Sequence, residues 1–147
     1  MSNLNKFFAT FFYLGCFPFA AGSLASLIAG LVWIASAQQI SIYVIIFLAV
    51  TAVGFLTSGR LERDLKEKDP ACVVIDEVAG GMIAFFLLPL NFPVLVTAFF
   101  LFRAFDMFKI FPAYKLEKIP GSVGIMADDL VAGLYTNLIM HAVLKLI

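Results

Sequence analysis

Charge is scarce in this chain. Only 14% of its 147 residues are Asp, Glu, Lys or Arg, and none falls between Phe7 and Gly59. With 63% hydrophobic residues, 17 Phe and a mean hydropathy of +1.02, that scarcity sets aside an ordinary soluble domain. The formal net charge is zero, so no broad basic field points to nucleic acid. Histidine occurs once, as His141 in a late apolar stretch, which excludes chemistry that needs a histidine nucleophile and reads instead as a packed or interfacial residue. The two cysteines, Cys16 and Cys72, have no metal-ligand or redox spacing, and neither is followed by five residues and an arginine. A glycine-rich nucleotide loop is missing too. No linker, low-complexity tract or repeat divides the chain, so residues 1–147 read as one integral-membrane domain.

What is present is a series of apolar runs punctuated by breakers. Leu4 to Leu14 is Phe-rich with one charge, Lys6, and reads as an interfacial helix rather than a cleaved leader. A Gly/Pro-containing turn follows. Leu24 to Ala37 and Ile40 to Thr57, separated by Gln38-Gln39, then predict a transmembrane hairpin. Ser23 stands where an N-cap belongs; a helix start at Gly22-Ser23 is either an ordinary cap or a cradle for phosphate. Arg60 to Asp69 holds eight charges in ten residues and predicts a short solvated helix outside the membrane. Val78 to Phe102 is apolar but broken by Pro89-Leu90-Asn91-Phe92-Pro93. A turn there makes a Pro-broken helical hairpin and returns Arg103 to the side of Glu77; one straight helix would part them by roughly 39 Å. A C-terminal transmembrane helix completes an all-α, polytopic bundle. Four of the ten Lys/Arg lie between Arg60 and Lys68 and four between Arg103 and Lys118, which predicts a cytoplasmic location for both segments.

The acids stand where they are most costly. Asp128-Asp129 open a stretch whose only other charge is Lys145, and Asp76-Glu77 enter a second apolar run. On a helix, Gly121, Gly124, Asp128, Ala132 and Tyr135 form one stripe with Asp129, Gly133 and Thr136 beside it, a face of small residues that other backbones can approach. A helix start satisfied by the macrodipole would account for one such pair; two in matching contexts suggest a site. Arg103, Asp106 and Lys109 are spaced so that Asp106 can touch both bases on a helix, which Pro112 then ends. Either the three neutralise one another, or Arg103 and Lys109 hold phosphate while Asp106 orients them or binds metal. Carboxylates plus bases, without Cys or His, suit Mg²⁺ and metal-assisted hydrolysis of a phosphate ester.

These segments, in order, resemble the phosphatidylglycerophosphatase A family: Pro18, Gly22 and Ser23 before the first span, the stretch from Val74 to Gly80 around Asp76-Glu77, that from Phe102 to Pro112 around Arg103, Asp106 and Lys109, and that from Gly121 to Gly133 around Asp128-Asp129. The chain departs from the usual pattern at Ala21, Ala25-Ser26, Ile110 and Ser122, none of which removes a charged group. The resemblance implies a Mg²⁺-dependent phosphatase that converts phosphatidylglycerophosphate to phosphatidylglycerol in the bacterial cytoplasmic membrane. Asp76, Glu77, Asp128 and Asp129 would serve the metal, Arg103, Lys109, Gly22 and Ser23 the substrate, and Asp106 would orient the bases. Two other readings use the same acids: a small ion or proton transporter, and a headgroup transferase using a CDP-alcohol. In the transferases the acids are spaced along two helices, unlike the adjacent Asp128-Asp129.

Overall fold

The computed structural model describes residues 2–147, and every regular element among them is helical. The helices are α1 (Asn3–Ala9), α2 (Ala21–Ser36), α3 (Ile40–Leu65), α4 (Ile75–Phe85), α5 (Phe92–Phe108), α6 (Ala113–Leu116) and α7 (Ser122–Leu146). Two of them, α3 and α7, are long and apolar enough to cross a membrane. Leu31 on α2, Ile45, Leu48 and Leu56 on α3, Phe100 on α5 and Leu138 on α7 are all more than half exposed, an apolar exterior that water does not favour.

Helix α4 is the centre of the bundle. Nine of its eleven residues are buried, and α2, α3, α5 and α7 surround it. Its tightest neighbour is α7, because Gly80 and Gly133 let the two backbones meet: a Cβ on Gly133 would overlap the Gly80 carbonyl, and one on Gly80 would overlap the carbonyl of Asp129. The face of small residues expected around Asp128 and Asp129 is this contact. It begins at Gly124, since Gly121 is the residue before the helix, with φ 79°, and Tyr135 is only half buried.

An eleven-residue helix is about 16 Å long, roughly half the apolar thickness of a bilayer. Its C-terminal end is buried inside the bundle, where free carbonyls would be costly. Each has a partner. The Met82 carbonyl accepts from the Tyr43 hydroxyl (2.6 Å), Ile83 from the Phe86 N–H (3.2 Å), and Ala84 from Asn137 Nδ2 (3.3 Å). Phe85 accepts from the Leu88 N–H (3.1 Å), and Phe86 from Asn137 Nδ2 (2.7 Å) with His141 Nε2 at 3.2 Å. Trp33 Nε1 donates to the Leu88 carbonyl at 3.0 Å. Donors on α2, α3 and α7 thus converge on one turn, and they explain why His141 sits in an apolar helix.

The break before Pro93 falls where the sequence placed it; Asn91 precedes α5, and Pro93 occupies its first turn, where a missing N–H costs nothing. Three local expectations are corrected. The N-terminal helix stops at Ala9, followed by left-handed Phe11, Phe12 and Tyr13. The charged segment is no separate helix: Ser58-Gly59 does not break α3, which runs on to Leu65 and ends at left-handed Lys66. Helix α5 ends at Phe108, before Pro112, because Lys109 adopts a left-handed conformation (φ 47°). The connection after Pro112 contains the short helix α6.

Candidate active site

The N-termini of α2 and α4, the C-terminus of α5 and the first turns of α7 meet at one end of the bundle. Helix α1 is tied to the same end by Asn5 Nδ2 donating to the Thr57 carbonyl at 3.2 Å. Of all the Asp, Glu, Lys and Arg residues, only Lys145 lies at the opposite end.

All seven charged residues singled out from the sequence gather here. Arg103 Nη1 donates to Asp106 Oδ2 at 2.7 Å and lies 3.5 Å from Glu77 Oε1. Lys109 Nζ is 3.3 Å from Asp106 Oδ1, pairs closely with Asp128 Oδ2, and stands 3.5 Å from Asp129 Oδ1, too far for a hydrogen bond. Asp106 therefore touches both bases, as its spacing suggested, but Lys109 does so from the left-handed cap, which also carries its ammonium across to α7. Burial pulls the pKa of Lys109 down, but the charges of Asp129, Asp128 and Asp106 and the hydrogen bond to Asp128 outweigh it and hold the ammonium firmly protonated.

Five carboxyl groups face two bases, so three acids have no base to balance them. Asp76, Asp106, Asp128 and Asp129 are buried, and Glu77 nearly so. One oxygen each of Asp76 (Oδ1), Glu77 (Oε2) and Asp129 (Oδ1) is buried without a hydrogen-bond partner among the described residues. Glu77, Asp106 and Asp129 bring one oxygen apiece within 4.8 Å of one another. Hard carboxylate donors left unsatisfied in a buried place fit a divalent cation such as Mg²⁺. Burial, then the charge of Asp106, pushes Glu77 up to about 7 against the opposing pull of Arg103. Asp128, also expected to serve the metal, pairs with Lys109, and Asp106, itself bonded to both bases, stands with Glu77 and Asp129.

Gly22 lies directly beneath the Glu77 carboxylate; a Cβ there would come within 2.7 Å of Glu77 Cδ and closer still to both oxygens. The N-terminal turn of α2 thus brings Gly22 against the cluster, but Ser23 is not its N-cap. Ala20, left-handed at φ 48°, holds that position, because Gly22 already belongs to the helix where it passes under Glu77. The first turn of α4, carrying Asp76 and Glu77, directs a second helix N-terminus and its positive dipole end at the same acids.

Two participants escaped the sequence reading, both concealed in the charged run. Asp69, left-handed at φ 47°, lies in the loop between α3 and α4; burial raises its pKa, Lys109 opposes that, and Glu117, Glu62 and Asp106 add to it. Glu62 clips the rim together, accepting from the Asp69 N–H at 3.3 Å and the Gly121 N–H at 3.0 Å.

A family model described as phosphatidylglycerophosphatase A matches residues 7–144. A protein of Bacteroides thetaiotaomicron that carries the provisional name phosphatidylinositol-3-phosphatase is 32% identical over 95% of this chain and 92% of its own length. Phosphatidylglycerophosphatase A of Haemophilus influenzae is 32% identical over 86% of this chain and 78% of its own. The Escherichia coli K12 protein of that name is 28% identical over 96% and 84%. No solved structure matches the chain. Matched over nearly its whole length, with its acids and bases drawn to one end of an apolar helical bundle, the chain belongs to the phosphatidylglycerophosphatase A family and is a phosphatase.

Proposed function

We propose that the chain hydrolyses the terminal phosphate monoester of phosphatidylglycerophosphate, with water, to phosphatidylglycerol and inorganic phosphate, at the cytoplasmic face of the bacterial inner membrane. The observation that carries this reading is the buried, under-compensated acid cluster with two bases in its midst, at the charged end of an apolar bundle. Nine of the ten Lys/Arg lie at that end, which supports its cytoplasmic orientation. Helices α2, α3 and α7 span, α4 and α5 form the broken hairpin, and α1 lies along the interface.

Glu77, Asp106 and Asp129, with Asp76 beside them, would hold Mg²⁺. When bound, Mg²⁺ supplies positive charge to the phosphate oxygens in the transition state. Arg103 and Lys109 bind phosphate oxygens, the guanidinium bidentately and the ammonium as a point charge. Asp106, bonded to both, aims them at one place. Asp128 holds the Lys109 ammonium toward the cluster, and the N–H groups at Gly22 and Ser23 face the same anion. The lipid tails remain in the bilayer.

A second reading has a specific observation in its favour: the Bacteroides relative, named for a phosphoinositide, covers 95% of this chain. Phosphatidylinositol phosphate is then the substrate of the same site. Phosphate release from purified protein, with and without Mg²⁺, on phosphatidylglycerophosphate, phosphatidylinositol 3-phosphate and phosphatidic acid decides between them. The proposal requires Mg²⁺-dependent release that is fastest from the first and absent in Asp129→Asn. A preference for the inositol lipid replaces it with the second reading, and no release from any lipid phosphate refutes both.

A further inference from the structure

Away from the acid cluster, α1 and the charged end of α3 border an open cleft of about 430 Å³ lined by Ser2, Asn5, Phe8, Thr57, Arg60 and Arg63 among others. Arg60 and Arg63 are one helical turn apart and exposed, and among the described residues neither guanidinium has an ion-pair or hydrogen-bond partner. Asp64 is the one acid in the wall, so the lining carries an excess of positive charge. Asn5 is 7% exposed; its Nδ2 serves the Thr57 carbonyl, and its Oδ1 has no hydrogen-bond partner among the described residues. The cleft thus offers two unpaired cationic forks beside a spare acceptor.

Its place on α3 says what enters it. Ile45, Leu48, Ala52 and Leu56 recur at helical spacing as an exposed apolar stripe, and the same face continues one turn on into Arg60 and then Arg63. An apolar track that ends in a cationic pocket has the shape and polarity of a phospholipid: chain along the stripe, phosphate at the guanidiniums, a headgroup donor toward Asn5 and Asp64. Arg60 is also the first charge after the long uncharged segment, at the level where an apolar layer gives way to phosphate.

We propose that this α1–α3 pocket binds an anionic phosphodiester lipid of the surrounding membrane, at a site separate from the acid cluster. Charge complementarity decides the class, since two unpaired guanidiniums favour a lipid with net negative charge over a zwitterion. The bound lipid ties α1 to α3 and does not take part in hydrolysis.

The test uses the full chain, stripped of lipid in detergent, with native mass spectrometry as the readout. Phosphatidylserine is the probe, because it is an anionic diester and neither substrate nor product of the proposed reaction; phosphatidylcholine and inorganic phosphate are the comparison arms. Phosphatidylserine should bind at least tenfold more tightly than phosphatidylcholine, with the preference falling as salt rises. Arg60→Gln with Arg63→Gln should abolish the preference, and Arg63→Gln alone should weaken it, with phosphate release from a short-chain substrate unchanged in both. Equal binding of the two lipids, or a preference that survives the double variant, overturns the proposal. Inorganic phosphate displacing phosphatidylserine at equal concentration assigns the pocket to a soluble anion and overturns the lipid. Where a glutamine variant no longer unfolds cooperatively, Arg63→Lys decides: keeping the charge, it should retain the preference, and loss of the preference in a cooperatively unfolding Arg63→Lys overturns the proposal.

Discussion

Replacing Gly22 with alanine separates the catalytic geometry of this protein from its packing. The new methyl would lie 2.7 Å from Glu77 Cδ, where ordinary contact begins near 3.4 Å, so the carboxyl carbon must retreat by about 0.7 Å and its oxygens by about 1 Å. The obstacle is the tip of a flexible side chain, so the fold can yield. Alanine is also the better helix former, by up to about 1 kcal/mol in a helix interior. Gly22→Ala should therefore unfold no earlier than the parent. Its activity should nevertheless fall about 100-fold, because a displacement near 1 Å at a group that positions reactants costs that much, about 2.7 kcal/mol in the barrier. Gly133→Ala is the counterpart: its methyl meets the backbone carbonyl of Gly80, which cannot move unless α4 and α7 part, and overpacking of that kind costs about 1–3 kcal/mol of stability. Phosphate release from a short-chain lipid phosphate, beside thermal unfolding in detergent, reads both variants. If Gly22→Ala keeps full turnover, the position of Glu77 against α2 is irrelevant to catalysis. If it loses stability as Gly133→Ala does, its effect is structural and the reasoning fails.

Arg103→Lys should lower kcat/KM tenfold or more, since an ammonium cannot replace a bidentate contact worth about 1.5 kcal/mol or greater; near-parental kinetics in Arg103→Met with Asp106→Leu would instead reduce the pair to mutual neutralisation. Tyr43→Phe strands the buried Met82 carbonyl and should cost about 1–3 kcal/mol of stability with little change in KM, measured by unfolding in detergent; an unchanged midpoint would mean that the carbonyl finds another donor. Glu77, raised to about 7, is ionised above that pH and protonated below it, and only the ionised form is a good ligand, so the Mg²⁺ concentration for half-maximal activity should climb as pH falls through 7. The same titration in Glu77→Gln should lose that pH step, and its persistence would assign the step to another group.

Much of the architecture was legible because charge and breakers are rare enough to act as punctuation. The 53 uncharged residues from Phe7 to Gly59 left room only for apolar helices, and Pro89 to Pro93 forced the turn that reunites Glu77 with Arg103. The acids were legible because each pair enters an apolar run at a cost that a helix dipole alone does not meet. What stayed hidden depends on long-range contact. Nothing local marks Gly22 as the floor for Glu77, 55 residues away, and nothing in Phe108-Lys109-Ile110 announces the left-handed turn that delivers an ammonium to α7. Asp69 and Glu62 were lost among six neighbouring charges, since a dense charged run reads as a solvated face whichever members turn inward. Nothing local marks Asn137, whose amide donates to the carbonyls of Ala84 and Phe86 at the end of α4.

The donors that close off the C-terminal end of α4 have a bearing on how the chain is made. Trp33 and Tyr43 are synthesised before the turn they serve, but Asn137 and His141 leave the ribosome some 50 residues after Ala84 and Phe86. For that interval the helix carries two carbonyls whose final partners have not yet been made. Burial of α4 is thus deferred until the last helix arrives, and the acids at the opposite end of α4 and α7 are brought together by the same event. A nascent chain cannot own a finished acid cluster before its last helix has been made and packed.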